Sequence, residues 1–202
     1  MKKMTKALVW VSVVASIALL VGCTAQVRPT ISPSEYITNA PRLPATVALY
    51  FSDEFRNYAP KHDDPANFRS WILGLGPLAT DAYTYAFEGR FEKVLVKAGE
   101  PQFPLPGGSV DYVVTPRFVS LNAGEPVFVK FENYWVELAI DVRIQDADGK
   151  NLETLHLKSK GVKRGAIGTE SPGVAAYPVA CREAVKPLVD QTVDRVIELM
   201  RR

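Results

Sequence analysis

The stretch Val136–Lys160 decides the fold, and it reads VELAIDVRIQDADGKNLETLHLKSK. Every second position of its first nine is apolar, namely Val136, Leu138, Ile140, Val142 and Ile144. Alternation with a period of two is typical of a strand that has one buried and one solvated face. The Asp-Gly pair in DADGK then favours a hairpin turn, which is a simpler interpretation than half of a calcium loop. The stretch therefore predicts an antiparallel hairpin with one dry face.

Working outward, the chain alternates between strand and helix patterns. Strand patterns begin at Ala45 and Asp111, and apolar residues spaced by three and four predict a helix from Pro77 that ends at Gly99. A second helix is predicted from Val174 to Arg201, with a kink at Pro187. The order βαβββα indicates an α+β fold, in which a mixed sheet of about four strands carries two helices on one face.

The first 23 residues have the pattern of a secretion signal. MKKMTK precedes an apolar run from Ala7 to Gly22, whose sixteen residues are fewer than the roughly 20 that a membrane-spanning helix needs. Leu20-Val21-Gly22-Cys23 resembles a bacterial lipobox. The resemblance implies cleavage before Cys23, a diacylglyceryl thioether on its thiol and acylation of its amine with chains such as palmitate. An uncleaved short anchor and an ordinary signal peptide are the alternatives.

This pattern gives three predicted parts. Residues 1–22 are a lipoprotein signal peptide, residues 23–44 are a lipidated N-terminus and flexible tether, and residues 45–202 are a single periplasmic α+β domain. The tether is inferred from scattered Pro, Ser, Thr and Asn without a hydrophobic period. Thr24 replaces the Asp that usually signals inner-membrane retention in Gram-negative lipoproteins, so an outer-membrane anchor facing the periplasm is expected.

Charge and cysteine content narrow the class of partner. Without Lys2, Lys3 and Lys6, the 24 basic residues fall to 21 against 22 acidic ones, so the net charge of the mature chain is about −1. Nucleic acid is therefore not expected as a partner. If Cys23 is lipidated, Cys181 remains without a partner cysteine in the chain. It is interpreted as a small buried residue, with an intermolecular disulfide or a nucleophile as alternatives.

Enzyme chemistry finds little support in the sequence. His62, Asp63 and Asp64 offer metal-ligating atoms, but consecutive side chains rarely converge on one ion. His156 lies between two leucines in a predicted strand, so pairing with Cys181 would depend on the fold alone. We therefore predict no catalytic residue, no metal and no cofactor. A metal-dependent hydrolase that uses His62 remains the enzyme alternative.

Two segments are candidates for a contact surface. The first is SWILGLG, where Trp71 and Leu73 belong to an apolar cluster that either folds onto the core or meets a partner. The second is a set of four cations in a predicted glycine-rich loop, Lys158, Lys160, Lys163 and Arg164. This cationic set either is solvated or attaches to anionic head groups or an acidic protein.

Taken together, the lipobox, the strand from Ala45, the helix ending in FEKVLVKAG and the hairpin resemble small bacterial outer-membrane lipoproteins of the YajG-like type. The lipopolysaccharide-assembly lipoprotein and transporter auxiliary lipoproteins are similar in topology. The resemblance implies a lipid-anchored periplasmic module that binds an envelope protein, as an accessory of an assembly or transport complex. The alternative from another class is a carrier that holds a lipid between its helices and its sheet.

Overall fold

The computed structural model describes residues 23–64, 69–105, 110–124, 133–165 and 172–202. Its strands are β1 (Cys23–Val27), β2 (Leu43–Phe51), β3 (Lys61–Asp64), β4 (Arg69–Leu73), β5 (Phe91–Ala98), β6 (Tyr112–Gly124), β7 (Asn133–Gln145) and β8 (Asn151–Arg164). Its helices are α1 (Asp53–Arg56), α2 (Leu75–Arg90) and α3 (Pro172–Met200), and a 3-10 helix spans Pro33–Tyr36. The predicted signal peptide lies outside the described residues.

The main sheet has five strands in the order β5-β2-β6-β7-β8. β2 pairs in parallel with β5 and β6, whereas β6, β7 and β8 form an antiparallel meander. The apolar face of β7 is buried as its alternation predicts, and it packs with α2 and α3 in one core. The α+β class is therefore confirmed, but the sheet of about four strands is wrong, because the main sheet has five and a second sheet has three.

The segment that follows Arg90 is the first correction. This segment is predicted to continue the helix to Gly99. In the structure, α2 ends at Arg90, and Phe91–Ala98 forms β5 along the edge of the main sheet. Val94 lies in register with Val47 of β2, and the N–H of Gly99 donates to the carbonyl of Phe51. Pairing with β2 therefore overrides the helical spacing of this segment, a long-range effect that local periodicity does not reveal.

The second correction concerns the predicted flexible tether, because part of that segment belongs to a three-stranded sheet. Its order is β1-β4-β3, with β1 parallel and β3 antiparallel to β4. β1 lies in the segment predicted as a flexible tether, and Val27, Ile31 and Tyr36 of that segment are buried. This segment therefore has regular structure and contributes to the core, because its few apolar side chains are covered by the domain.

Pro116 lies in the middle strand of the main sheet, although proline favours strand edges. β2 pairs with β6 only as far as Val114, so β6 has no neighbour on that side at Pro116. The missing N–H thus costs no hydrogen bond to β2.

Candidate functional surfaces

Cys23, the predicted lipidation residue, is the first residue of β1. Its backbone lies in register with Arg69 of β4, and Ala25 lies in register with Trp71. An acyl chain on Cys23 would therefore be attached to a strand that belongs to the fold, without a spacer between them. Among the described helices none is both long and apolar enough to cross a bilayer.

Trp71 and Leu73 do not form an exposed contact surface. Trp71 is 1% exposed and Leu73 is fully buried, so the prediction of a contact patch is wrong for both. The Trp71 ring lies 5.1 Å from that of Tyr177, which in turn lies 5.2 Å from Tyr134. Trp71 is thus a packing residue that joins the small sheet to α3 and β7.

The cationic set lies on a strand rather than in a loop, because β8 continues to Arg164. Glycine at position 161 permits this continuation, since a Cβ there would lie 1.9 Å from the carbonyl oxygen of Ala180 in α3. The structure divides the set into two groups. Lys158 and Lys160 are exposed near the middle of β8, whereas Lys163 and Arg164 are exposed at its C-terminal end.

The end of β8 lies on the same side of the molecule as β1. Lys163 is in register with Tyr134, whose ring contacts Tyr177, and Tyr177 contacts Trp71 beside β1. We call this side, with Cys23, Arg69, Lys163 and Arg164, the Cys23 end. The hairpin at 146–150 lies at the opposite end of β7 and β8.

Lys158 and Lys160 belong to a second surface, the outer face, which is the side of β6–β8 away from α2 and α3. Lys160 Nζ lies 4.4 Å from the ring centroid of Trp135, a cation–π arrangement, and Lys160 is in register with Glu137. Within the described part of the chain, no helix packs on this face. The outer face therefore carries exposed lysines whose backbone positions are fixed by strand pairing.

A polar groove of about 410 Å³ extends the outer face beyond the ends of β2 and β5. Its lining includes Thr115, Arg117, Asp141 and Arg143. Arg117 is in register with Asp141, and Arg143 is in register with Thr115. The buried Thr115 hydroxyl has no hydrogen-bond partner among the described residues. This groove was not found from the sequence, because its residues come from strands that only the fold brings together.

The surroundings of the two histidines differ from those of a clustered metal site as far as the described residues extend. Asp63, beside His62, is bonded to the Lys61 ammonium at 2.7 Å and to the Ser70 hydroxyl at 2.6 Å. These hydrogen bonds, with that of Lys61 the larger cause, hold the pKa of Asp63 below its ordinary value. Across the described residues, no group of three or more His, Cys, Asp or Glu side chains could hold a metal ion. The side chain of Asp64 lies outside the described part.

His156 and Cys181 lie on opposite faces of the main sheet. The His156 side chain is exposed on the outer face, and its Nδ1 lies 2.6 Å from Asp141 Oδ1. Cys181 is fully buried on the helical side, and burial raises the pKa of its thiol to about 12. A neutral, enclosed thiol is a poor nucleophile, so the interpretation as a buried small residue agrees with the structure.

The DADGK segment is a turn held by its own side chain. Asp146 Oδ1 accepts hydrogen bonds from the N–H groups of Asp148 and Lys150, and Gly149 has a φ of 89°. The first carboxylate of the supposed calcium pattern is therefore occupied by backbone donors.

Comparison with known proteins identifies the fold but not a family. No family model and no curated protein matches this sequence. The crystal structure of protein XCC0632 from Xanthomonas campestris, of the DUF330 family, is similar with a TM-score of 0.52 and 12% identity over 89% of this chain and 99% of that chain. This chain therefore has the fold of that protein.

Two weaker likenesses are to proteins named as lipoproteins. A minor lipoprotein from Acinetobacter baumannii has a TM-score of 0.40 at 14% identity, over 80% of this chain and 96% of that one. Uncharacterized lipoprotein B from Nitrosomonas europaea has a TM-score of 0.39 at 12% identity, over 77% of this chain and 84% of that one. At these TM-scores the two likenesses carry no argument about function.

Proposed function

We propose that this chain is a bacterial lipoprotein that is acylated at Cys23 and held at the periplasmic side of the outer membrane. In this proposal the domain works by binding, as an accessory component of an envelope assembly or transport complex. The observation that carries the proposal is the position of Cys23, which ends a lipobox-like segment and begins β1. An anchor at this residue would hold the whole domain in a defined position close to the bilayer.

The binding surface in this proposal is the outer face of the main sheet. Lys158 and Lys160 are exposed there, and Lys160 lies over the ring of Trp135, a combination of charge and aromatic area that suits an acidic protein surface. Anchoring would confine the search for such a partner to the membrane, which raises its effective concentration. No catalytic step is assigned to this surface.

The anchor is tested by metabolic labelling with palmitate and by membrane fractionation of the full chain. We expect wild-type protein to incorporate label and to sediment with the outer membrane, whereas Cys23→Ser should do neither. Cys181→Ser is the matched control, because it changes the other cysteine and should still be labelled. Equal labelling of Cys23→Ser and wild type would disprove acylation at this residue.

Partner binding is tested by crosslinking in native membranes. Charge reversal with Lys158→Glu and Lys160→Glu should remove the crosslinks to an envelope neighbour while leaving acylation intact. Lys93→Glu and Lys97→Glu on β5 are the matched control, since both are exposed cations on a strand at the other edge of the sheet. Crosslinks that survive the β8 reversal and are lost on the β5 reversal would move the binding surface to β5.

A further inference from the structure

A groove of about 430 Å³ lies where the C-terminal end of β1 meets the first turns of α2. Its lining is mainly apolar and comes from four parts of the chain, which contribute Val27, Arg28, Arg56, Ile72, Pro77 and Asp81. This volume falls in the range of small-molecule sites, which are typically concave, largely apolar and supplied with a few polar groups. It is separate from the outer face.

Backbone hydrogen bonds hold the walls of this groove in place. The N–H of Gly74 donates to the carbonyl of Val27 at 2.9 Å, and the N–H groups of Leu75 and Gly76 donate to the carbonyl of Tyr58 at 3.1 and 2.8 Å. A Cβ at Gly76 would lie 2.3 Å from the carbonyl oxygen of Arg56, so α2 and the end of α1 are in close contact. The groove is therefore formed before any ligand arrives.

Two cations stand at the rim of the groove. Arg28 is exposed and donates one hydrogen bond, at 2.8 Å, to the side-chain oxygen of Gln26. Arg56 is exposed and approaches Asp53 only to 4.0 Å. Each guanidinium has five N–H donors, so both can still bind an anion.

Asp81 contributes an acidic side chain to the lining of the groove. Asp81 is exposed to solvent, and partial burial of its carboxyl group raises the pKa of that group. Because Asp81 repels any anion, an anionic head group is expected on the arginines at the rim, and a singly charged carboxylate is repelled less than a doubly charged phosphate.

We propose that this groove binds a free fatty acid, with the alkyl chain against Val27, Ile72 and Pro77 and the carboxylate on Arg28 and Arg56. Guanidinium groups match carboxylates in charge and in planar geometry, and alkyl carbons are stabilised by contact with the apolar wall. The groove has room for one chain rather than for a diacyl lipid. The predicted carrier site between helices and sheet differs, because buried side chains occupy that space in the described residues.

Calorimetric titration with lauric acid, below its micellar concentration, tests the proposal on residues 23–202 with Cys23→Ser. We expect saturable one-to-one binding that weakens at least tenfold in the double variant Arg28→Ala and Arg56→Ala. The double variant Lys93→Ala and Lys97→Ala removes two exposed cations elsewhere and should bind as the parent does. Unfolding curves establish that each variant is folded, and Ile72→Trp should fill the groove and block binding.

Several outcomes would overturn the proposal. One is the absence of saturable binding by a folded parent protein. Another is equal affinity for dodecyltrimethylammonium, which would show that the arginines play no part. Tighter binding of dodecyl phosphate would replace the carboxylate by a phosphate head group, and displacement of lauric acid by an acidic peptide at lower concentration would assign the groove to a protein partner. Because this assay contains neither membrane nor acyl anchor, its failure leaves the proposal for Cys23 intact.

Discussion

Gly161 shows how a single residue sets the distance between β8 and α3. A Cβ at this position would lie 1.9 Å from the carbonyl oxygen of Ala180 and 2.5 Å from the amide nitrogen of Ala184. We expect Gly161→Ala to lower the free energy of unfolding by about 3 kcal/mol, because either the helix or the strand must move. Urea denaturation measures this loss.

Gly99 supplies the control for that substitution. It has a φ of 84° but open space around its α-carbon, so Gly99→Ala should lose only about 1 kcal/mol from left-handed strain. Similar losses for the two variants would contradict the close-contact argument at Gly161.

Cys181 predicts a pH dependence of stability. Its thiol pKa is raised from 9.0 to about 12 by burial, so above pH 9 the thiol ionises more readily in the unfolded chain than in the folded one. Its contribution to stability is therefore complete below pH 9 and is lost as the pH rises toward 12. By linkage, the loss at pH 10.5 is about 2 kcal/mol.

The measurement compares wild type with Cys181→Ala by urea unfolding at pH 8 and at pH 10.5. The variant should lose about 2 kcal/mol less than wild type between these two values, whatever cavity the substitution leaves. Identical pH dependence in the two proteins would show that the thiol is solvated.

At the scale of elements, β1 provides a test of whether the N-terminal segment belongs to the fold. Val27 is buried at the end of β1, whereas its neighbour Gln26 is exposed. We expect Val27→Asp to lower the free energy of unfolding by about 3 kcal/mol, because it places a carboxylate among apolar side chains. Gln26→Asp should change it by less than about 0.5 kcal/mol.

These variants are compared by thermal and urea unfolding of the chain from residue 23. A flexible tether would make both substitutions neutral, so equal stabilities would contradict the role of β1 in the three-stranded sheet.

The success of sequence reasoning differed from element to element for physical reasons. The alternation in β7 was sufficient to predict the strand, its buried face and the hairpin, since each second residue faces the helices and the register with β8 follows from a short turn. β5 was missed because its apolar residues fit both a helix that continues α2 and a strand beside β2. β1, β3 and β4 were missed because strands of four or five residues carry too few positions to establish a period.

Some candidate site residues could likewise be recognised from the sequence, whereas the positions of others depend on the fold. The cationic set was recognisable by composition, but its division between the outer face and the Cys23 end depends on the continuation of β8 past Gly161. Burial of Trp71 and Leu73 could not be predicted locally, because it depends on pairing of their strand with β1 and on packing of Trp71 against Tyr177 of α3. The groove beside α2 left no local signal, since its lining comes from segments between positions 26 and 81.

For the whole molecule, the position of Cys23 predicts an orientation on the membrane. β8 has 14 residues, so its two ends lie roughly 40 Å apart, with Lys163 at the Cys23 end and the 146–150 hairpin at the other. In the acylated protein, a fluorophore on Lys163→Cys should be quenched by spin-labelled lipid, and one on Asp148→Cys should not.

Labelling is specific in this experiment because Cys181 is buried and acylation would occupy Cys23. Inclusion of anionic lipid should increase quenching at position 163, and this increase should weaken in high salt. Equal quenching at the two positions would contradict a fixed orientation, even where acylation itself is established.

The direct joining of Cys23 to β1 also has a mechanical consequence. A flexible tether after Cys23 would extend under a small force, so that movements of the anchor would not be transmitted to the domain. In this chain a pull on acylated Cys23 along the strand would instead load the hydrogen bonds between β1 and β4 in shear. Extraction of the acyl chains from a bilayer would therefore strain β1, the strand that pairs with β4 at Trp71 and contributes Val27 to the groove beside α2.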